Sequence, residues 1–156
     1  MTMASALIAE DEPLLKVSPN YFRAAGTALL EGRDVTWQDD EHAPRVAVVN
    51  QEFAREVFGS ITSAIGRYYK LADGTRVRVV GIVGDGKFQT LTEAPEPAMF
   101  LPLLQSPSSN TFVVVRSNED PRRLALAIRS KLRDLDPGLP SIVQTWKETM
   151  VLALFP

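Results

Sequence analysis

The sequence predicts a single α+β domain, and three observations carry that prediction. Apolar runs at 46–49, 80–83 and 112–115 have strand length and are rich in β-branched residues. Asp73-Gly74 separates two alternating segments, the mark of a hairpin. Between the strand predicted at 111–116 and the one at 141–145 lies an amphipathic helix, so the C-terminal third reads as β-α-β. At 156 residues the chain is long enough for one well-buried core.

Taking the elements in order, Ser18-Pro19 predicts an N-cap and first helical residue. The helix would turn Tyr21, Phe22 and Ala25 inward and end at Gly26. Residues 29–34 form a short extended segment, and the polar stretch 38–44 a loop. Residues 46–49 are a strand, after which Asn50 caps a helix over 51–58 that Gly59 stops. Segments 67–71 and 76–83 make the hairpin, with Tyr69 and Leu71 sharing a face with Val77 and Val79. The alternation then slips to Val80 and Ile82, which predicts a bulge near Gly81. Residues 86–97 read as irregular, 98–101 as a short strand and 105–110 as a loop. Asp120 and Pro121 start the last long helix, which runs to about residue 135 with Leu124, Ile128, Leu132 and Leu135 on one stripe. A further helix is expected from about Trp146.

Composition excludes several functions. A net charge of −2 gives no electrostatic case for nucleic acid. The chain has no cysteine, so thiolate catalysis, disulfides and cysteine–zinc sites are ruled out. No apolar run approaches the roughly 20 residues of a membrane-spanning helix, and the N-terminal stretch lacks the basic and apolar regions of a signal peptide.

The motif nearest to chemistry is Gly81-Ile-Val-Gly-Asp-Gly-Lys87, which matches the glycine and lysine spacing of a phosphate-binding loop. Position 88 is Phe where magnesium needs Ser or Thr, and 89–97 is a poor helix, so the stretch reads as a glycine-rich turn. His42 is the only histidine and cannot build a triad or zinc site by itself. Asp39, Asp40 and Glu41 lack calcium-loop spacing and read as a solvated acidic turn. No catalytic, cofactor or metal residue is therefore assigned. The one contact surface the sequence suggests, for a partner or for anionic lipid head groups, is the basic outer face of the 121–135 helix, which also carries Arg123. There Arg122, Arg129 and Arg133 surround Leu126, about 160° from the centre of the apolar stripe.

The stretch Val17-Ser-Pro-Asn-Tyr-Phe-Arg-Ala-Ala-Gly-Thr-Ala-Leu-Leu-Glu-Gly-Arg-Asp-Val-Thr36 resembles the signature of the MacB-like periplasmic core domain of bacterial ABC-type permeases. Further stretches follow in family order. They are Arg45-Val-Ala-Val-Val-Asn50, Ile65-Gly-Arg67, Val80-Gly-Ile-Val-Gly-Asp85, Met99-Phe-Leu-Pro102, Phe112-Val-Val-Val-Arg116 and Leu135-Asp-Pro-Gly-Leu-Pro140. Residues 59–66 depart from the family's usual Asp-Pro-Ile-Gly turn. The resemblance implies an extracytoplasmic, non-enzymatic domain at the outer face of the bacterial inner membrane, carrying no cofactor. It would be a piece of a permease whose flanking transmembrane helices and some preceding extracytoplasmic chain lie elsewhere. Its partners would be the rest of the permease, a cytoplasmic ATPase and another envelope protein, with cargo unspecified. It also implies two lobes: a porter-like β-α-β lobe from about 1–40 with 106–156, and a β-rich lobe with hairpins from 41–105. A free-standing binding module of the envelope and a phosphate-loop enzyme are the rival readings. The nearly uncharged tail 150–156 is expected to pack poorly or to associate between molecules.

Overall fold

A computed structural model describes residues 14–85, 95–106 and 113–145. They fall into two compact units, the first holding described residues 14–85, 95–106 and 113–114, the second 115–145. The first unit is built on one mixed sheet. Its strands are β1 (Leu14–Val17), β2 (Leu29–Gly32), β3 (Val46–Asn50), β4 (Tyr68–Lys70), β5 (Arg76–Val83) and β6 (Met99–Pro102). They are ordered β1-β6-β3-β5-β2, with β4 paired to the first half of β5.

β3 lies in the middle because all five of its residues are apolar or capped, and all five are buried. A strand covered on both faces reads as a continuous apolar run. On one face, Ala47 and Val49 join Val77, Val79, Ile82, Met99 and Tyr69 beneath the helix α2 (Gln51–Phe58), which contributes Phe53 and Ala54. On the other, Phe100 meets Phe22 edge-on at 4.8 Å. Phe22 comes from the short helix α1 (Tyr21–Ala25).

The hairpin forms where Asp73-Gly74 places it. The Asp73 carboxylate accepts from the Thr75 amide at 2.8 Å, and Gly74 takes φ +85°. The bulge also forms, since the β3–β5 register jumps from Ala47↔Val79 to Val48↔Gly81. That extra residue returns Ile82 to the face of Val77 and Val79. At the start of α1 the structure corrects the expected cap. The helix begins at Tyr21 behind a left-handed Asn20 (φ 69°), and no side chain caps it. Ser18 instead offers its carbonyl to the Tyr21 amide at 3.2 Å.

β1 pairs in parallel with β6, and β2 pairs antiparallel with β5, so residues 14–32 are hydrogen-bonded into the sheet of 46–102. In the second unit α3 (Pro121–Leu135) starts as predicted, the Asp120 carboxylate accepting from the Arg122 amide at 3.2 Å. The strands expected at 111–116 and 141–145 do not form among the described residues. A strand exists only against a partner, and Ile142 is instead 88% exposed. The expected features at 107–112, 146–149 and 150–156 lie outside the described residues.

Candidate functional site

α3 shows what its sequence spacing implies. Arg122, Leu126, Arg129 and Arg133 follow one another at i, i+4, i+7 and i+11, which places them on a single stripe of the helix. All four are exposed, Leu126 to 63%. The Arg129 Nη2 donates to the Val143 carbonyl at 3.0 Å, holding the segment after the helix alongside it. Between them runs a groove of about 300 Å³, with Ala125, Leu126 and Val143 among its apolar walls and Arg122 and Arg129 beside them. The structure thus gathers three of the four predicted contact residues around one groove. Arg133 continues the stripe beyond it.

The glycine-rich loop serves the sheet. A Cβ on Gly81 would lie 2.1 Å from the Arg33 carbonyl oxygen, and one on Gly32 would lie 2.2 Å from the Val80 carbonyl oxygen. Gly32 also needs φ +76°. The two glycines therefore let β2 and β5 approach at the bulge. Asp85, at the end of the loop, accepts from the Glu52 amide at 2.9 Å and lies 3.6 Å from Arg55. Its carboxylate thus stands at the N-terminus of α2 and satisfies a first-turn amide there. Lys87 and Phe88 lie outside the described residues.

The acidic turn is not wholly solvated, which corrects the reading of Asp39. Asp39 is buried and takes a bidentate pair from Arg33 at 2.8 and 2.9 Å. It also accepts from the Thr36 amide at 2.8 Å. Burial pushes its carboxyl pKa up, but Arg33 and Thr36 outweigh that and hold it below the ordinary value. The Asp39 hydrogen bond raises the Arg33 pKa in turn. The clamp fixes the turn that carries Trp37, which is 63% exposed. Sequence reasoning missed this pair. The sequence spacing of Arg33, Thr36 and Asp39 carries no mark that Asp39, and not Asp40, turns inward.

Gln105, assigned to a loop by sequence, is buried. Its amide donates to the Pro44 carbonyl at 2.9 Å and accepts from the Val46 amide at 3.2 Å, while Arg45 donates to its backbone carbonyl. A small cleft of about 150 Å³ beside it is lined by Arg45, Asp73 and Thr75, whose polar groups serve these loops and the hairpin. Asp40 accepts from the His42 amide at 2.9 Å, so the histidine's backbone closes the turn while its side chain stays exposed. Among the described residues no group of three His, Asp or Glu side chains is placed to hold a metal ion. No helix among them is long and apolar enough to cross a membrane.

Comparison with known proteins agrees with this picture. A family model described as the MacB-like periplasmic core domain matches residues 5–131. The periplasmic region of MacB from Actinobacillus actinomycetemcomitans superposes with a TM-score of 0.57 at 17% identity, covering 78% of this chain and 56% of that one. The extracellular domain of the noncanonical ABC-type transporter YknZ from Gram-positive bacteria gives 0.53 at 22% identity, covering 78% and 63%. The chain therefore spans a little over half the length of these solved domains. No curated protein matches it.

Proposed function

Since the chain belongs to the family of MacB-like periplasmic core domains, we propose that it is the extracytoplasmic part of an ABC-type permease that carries ATP-driven movement to the outer face of the membrane. The family is a transporter-permease domain and not an enzyme class, and the proposed role is mechanical, with no reaction of its own. The observation that carries this reading is the construction of the first unit. A central strand is buried along its whole length, the edge strand β2 crosses β5 closely at two glycines, and a half-buried Arg33–Asp39 pair holds the turn after β2. Close-packed interiors transmit strain, which suits a domain that must move as a body. Its partners would be the remaining permease, a cytoplasmic ATPase and an envelope protein met outside.

The test uses the whole permease. The chain has no native cysteine, so a spin label at exposed Thr62 can be paired with one in the membrane part. Under this reading the distance distribution shifts when ATP is trapped and stays fixed in a hydrolysis-dead ATPase. An unchanged distribution in both cases overturns it, as would a source reading frame without transmembrane segments, which fits a free-standing envelope module.

A further inference from the structure

The α3 groove is a positively charged feature on an acidic chain. Over α3, Arg122, Arg123, Arg129, Lys131 and Arg133 stand against the single acid Asp134, while the whole chain carries −2. Among the described residues, no arginine of α3 is in an ion pair and no acidic residue lines the groove. An exposed leucine lies in the middle of this stripe, with Ala125 and Val143 beside it.

We infer that the groove along Arg122, Leu126 and Arg129 docks an acidic segment of a partner protein, a peptide whose apolar side chain enters beside Leu126 while flanking carboxylates meet Arg122 and Arg133. This deepens the proposed role by stating the chemistry of the envelope partner, and rests on that role only for where the partner is met. Two features set the occupant. Charge complementarity requires anions, because cations line the groove and extend along the stripe beyond it. The apolar walls require one uncharged side chain between those anions, because a groove of about 300 Å³ admits a protruding residue that a phosphate group alone would leave empty. The stripe from Arg122 to Arg133 is roughly 16 Å long at helical rise, which suits carboxylates about three helical turns apart. A membrane surface is the less favoured occupant, since head groups present charge on a plane and place nothing apolar into a groove. Arg129 differs in role from its neighbours. It already donates to the Val143 carbonyl, so it shapes the groove wall and is left intact in the test.

The probe is a fluorescein-labelled helical peptide with glutamates at the first and twelfth positions of the matching stripe and leucine at the fifth, titrated by polarisation against the full 156-residue chain. A second peptide replaces the leucine with serine, a third replaces the glutamates with lysines, and vesicles of phosphatidylglycerol and phosphatidylcholine form a separate arm. The inference expects saturable binding of the first peptide, weakened at least about fivefold by R122E/R133E and by L126S and relieved by salt. It also expects the lysine peptide to bind the R122E/R133E chain better than it binds the native chain. Circular dichroism of each variant must match the native chain, and α3 is surface-exposed, so these changes leave its packing in place. Binding of the serine peptide as tightly as the leucine one overturns the inference, as does binding untouched by both variants. Binding of vesicles but not peptide replaces it with a membrane contact. Failure in any of these ways leaves the ATP-linked distance measurement unaffected, so the two proposals fall separately.

Discussion

Replacing Asn50 should destabilise the first unit more than any other single polar change there. Asn50 is fully buried at the junction of β3, α2 and β6. Its Oδ1 accepts from the Phe53 amide at 3.0 Å, capping α2, and from the Ala98 amide at 2.9 Å. Its Nδ2 donates to the Glu96 carbonyl at 2.7 Å. Asn50→Ala removes the cap, worth about 1 kcal/mol. It also leaves the buried Ala98 amide without a partner, at about 1–3 kcal/mol, and takes away the donor to the Glu96 carbonyl, which solvent can partly replace. Partial relaxation brings the expected loss to about 2–4 kcal/mol, a large part of a small domain's stability. Asn50→Asp keeps both accepted bonds but turns a carboxylate oxygen toward the Glu96 carbonyl, so its loss should shrink as the pH falls and the new carboxyl protonates. Urea unfolding followed by circular dichroism measures both. An Asn50→Ala loss below about 1 kcal/mol at unchanged denaturant slope would show that the three-way junction contributes little, and the reasoning would fail.

Other perturbations separate the remaining causes. Gly81→Ala should cost more than about 3 kcal/mol or prevent folding, because its Cβ meets a backbone oxygen that cannot move aside. Gly59→Ala should cost only about 1–2 kcal/mol, since its Cβ meets open space and the cost is conformational, from φ +82°. Paired equilibrium unfolding curves decide between them. Asp39 has a folded-state pKa below its unfolded one, so its contribution is full above about pH 4 and fades as the pH falls through the folded value. Asp39→Asn should lower the urea midpoint at pH 7 and narrow its gap to the native chain at pH 3. Magnesium and ATP should leave the melting temperature unchanged. A rise that disappears in Lys87→Ala would bring back the phosphate-loop reading.

Local chemistry was the part of this fold that the sequence made legible. Asn50 followed by an amphipathic run, Asp73-Gly74 between alternating segments and Asp120-Pro121 before the last helix each act through neighbouring residues, and each formed. The slip in alternation near Gly81 located the bulge for the same reason. Long-range features were harder to read. Nothing in Leu14-Leu-Lys-Val17 says that it pairs with β6, and nothing in the acidic turn says that Asp39 turns inward to Arg33 while Asp40 stays at the turn's surface. Among the described residues the strands of the expected β-α-β unit do not form, because periodicity shows which residues prefer a strand without supplying the neighbour that completes it. The contact stripe on α3 was readable because helical spacing alone defines it, whereas the groove beside it depends on where residues 143–145 return.

The parallel pairing of β1 with β6 has a consequence for how the chain acquires this shape. Leu14 finds its partner only at Met99, with β3, α2 and the whole hairpin made in between. A chain emerging from the ribosome presents β1 first and must wait for nearly all of the first unit before that strand is secured. Such distant pairing slows folding, because the intervening loop must be closed before any contact rewards it. Meanwhile β3 and the hairpin strands can assemble by themselves, leaving the edge that β6 and β1 will occupy open. An unpaired edge is a template for other chains, so that side of β3 stays open until Met99 emerges and β6 covers it, and β1 is the last strand to be added.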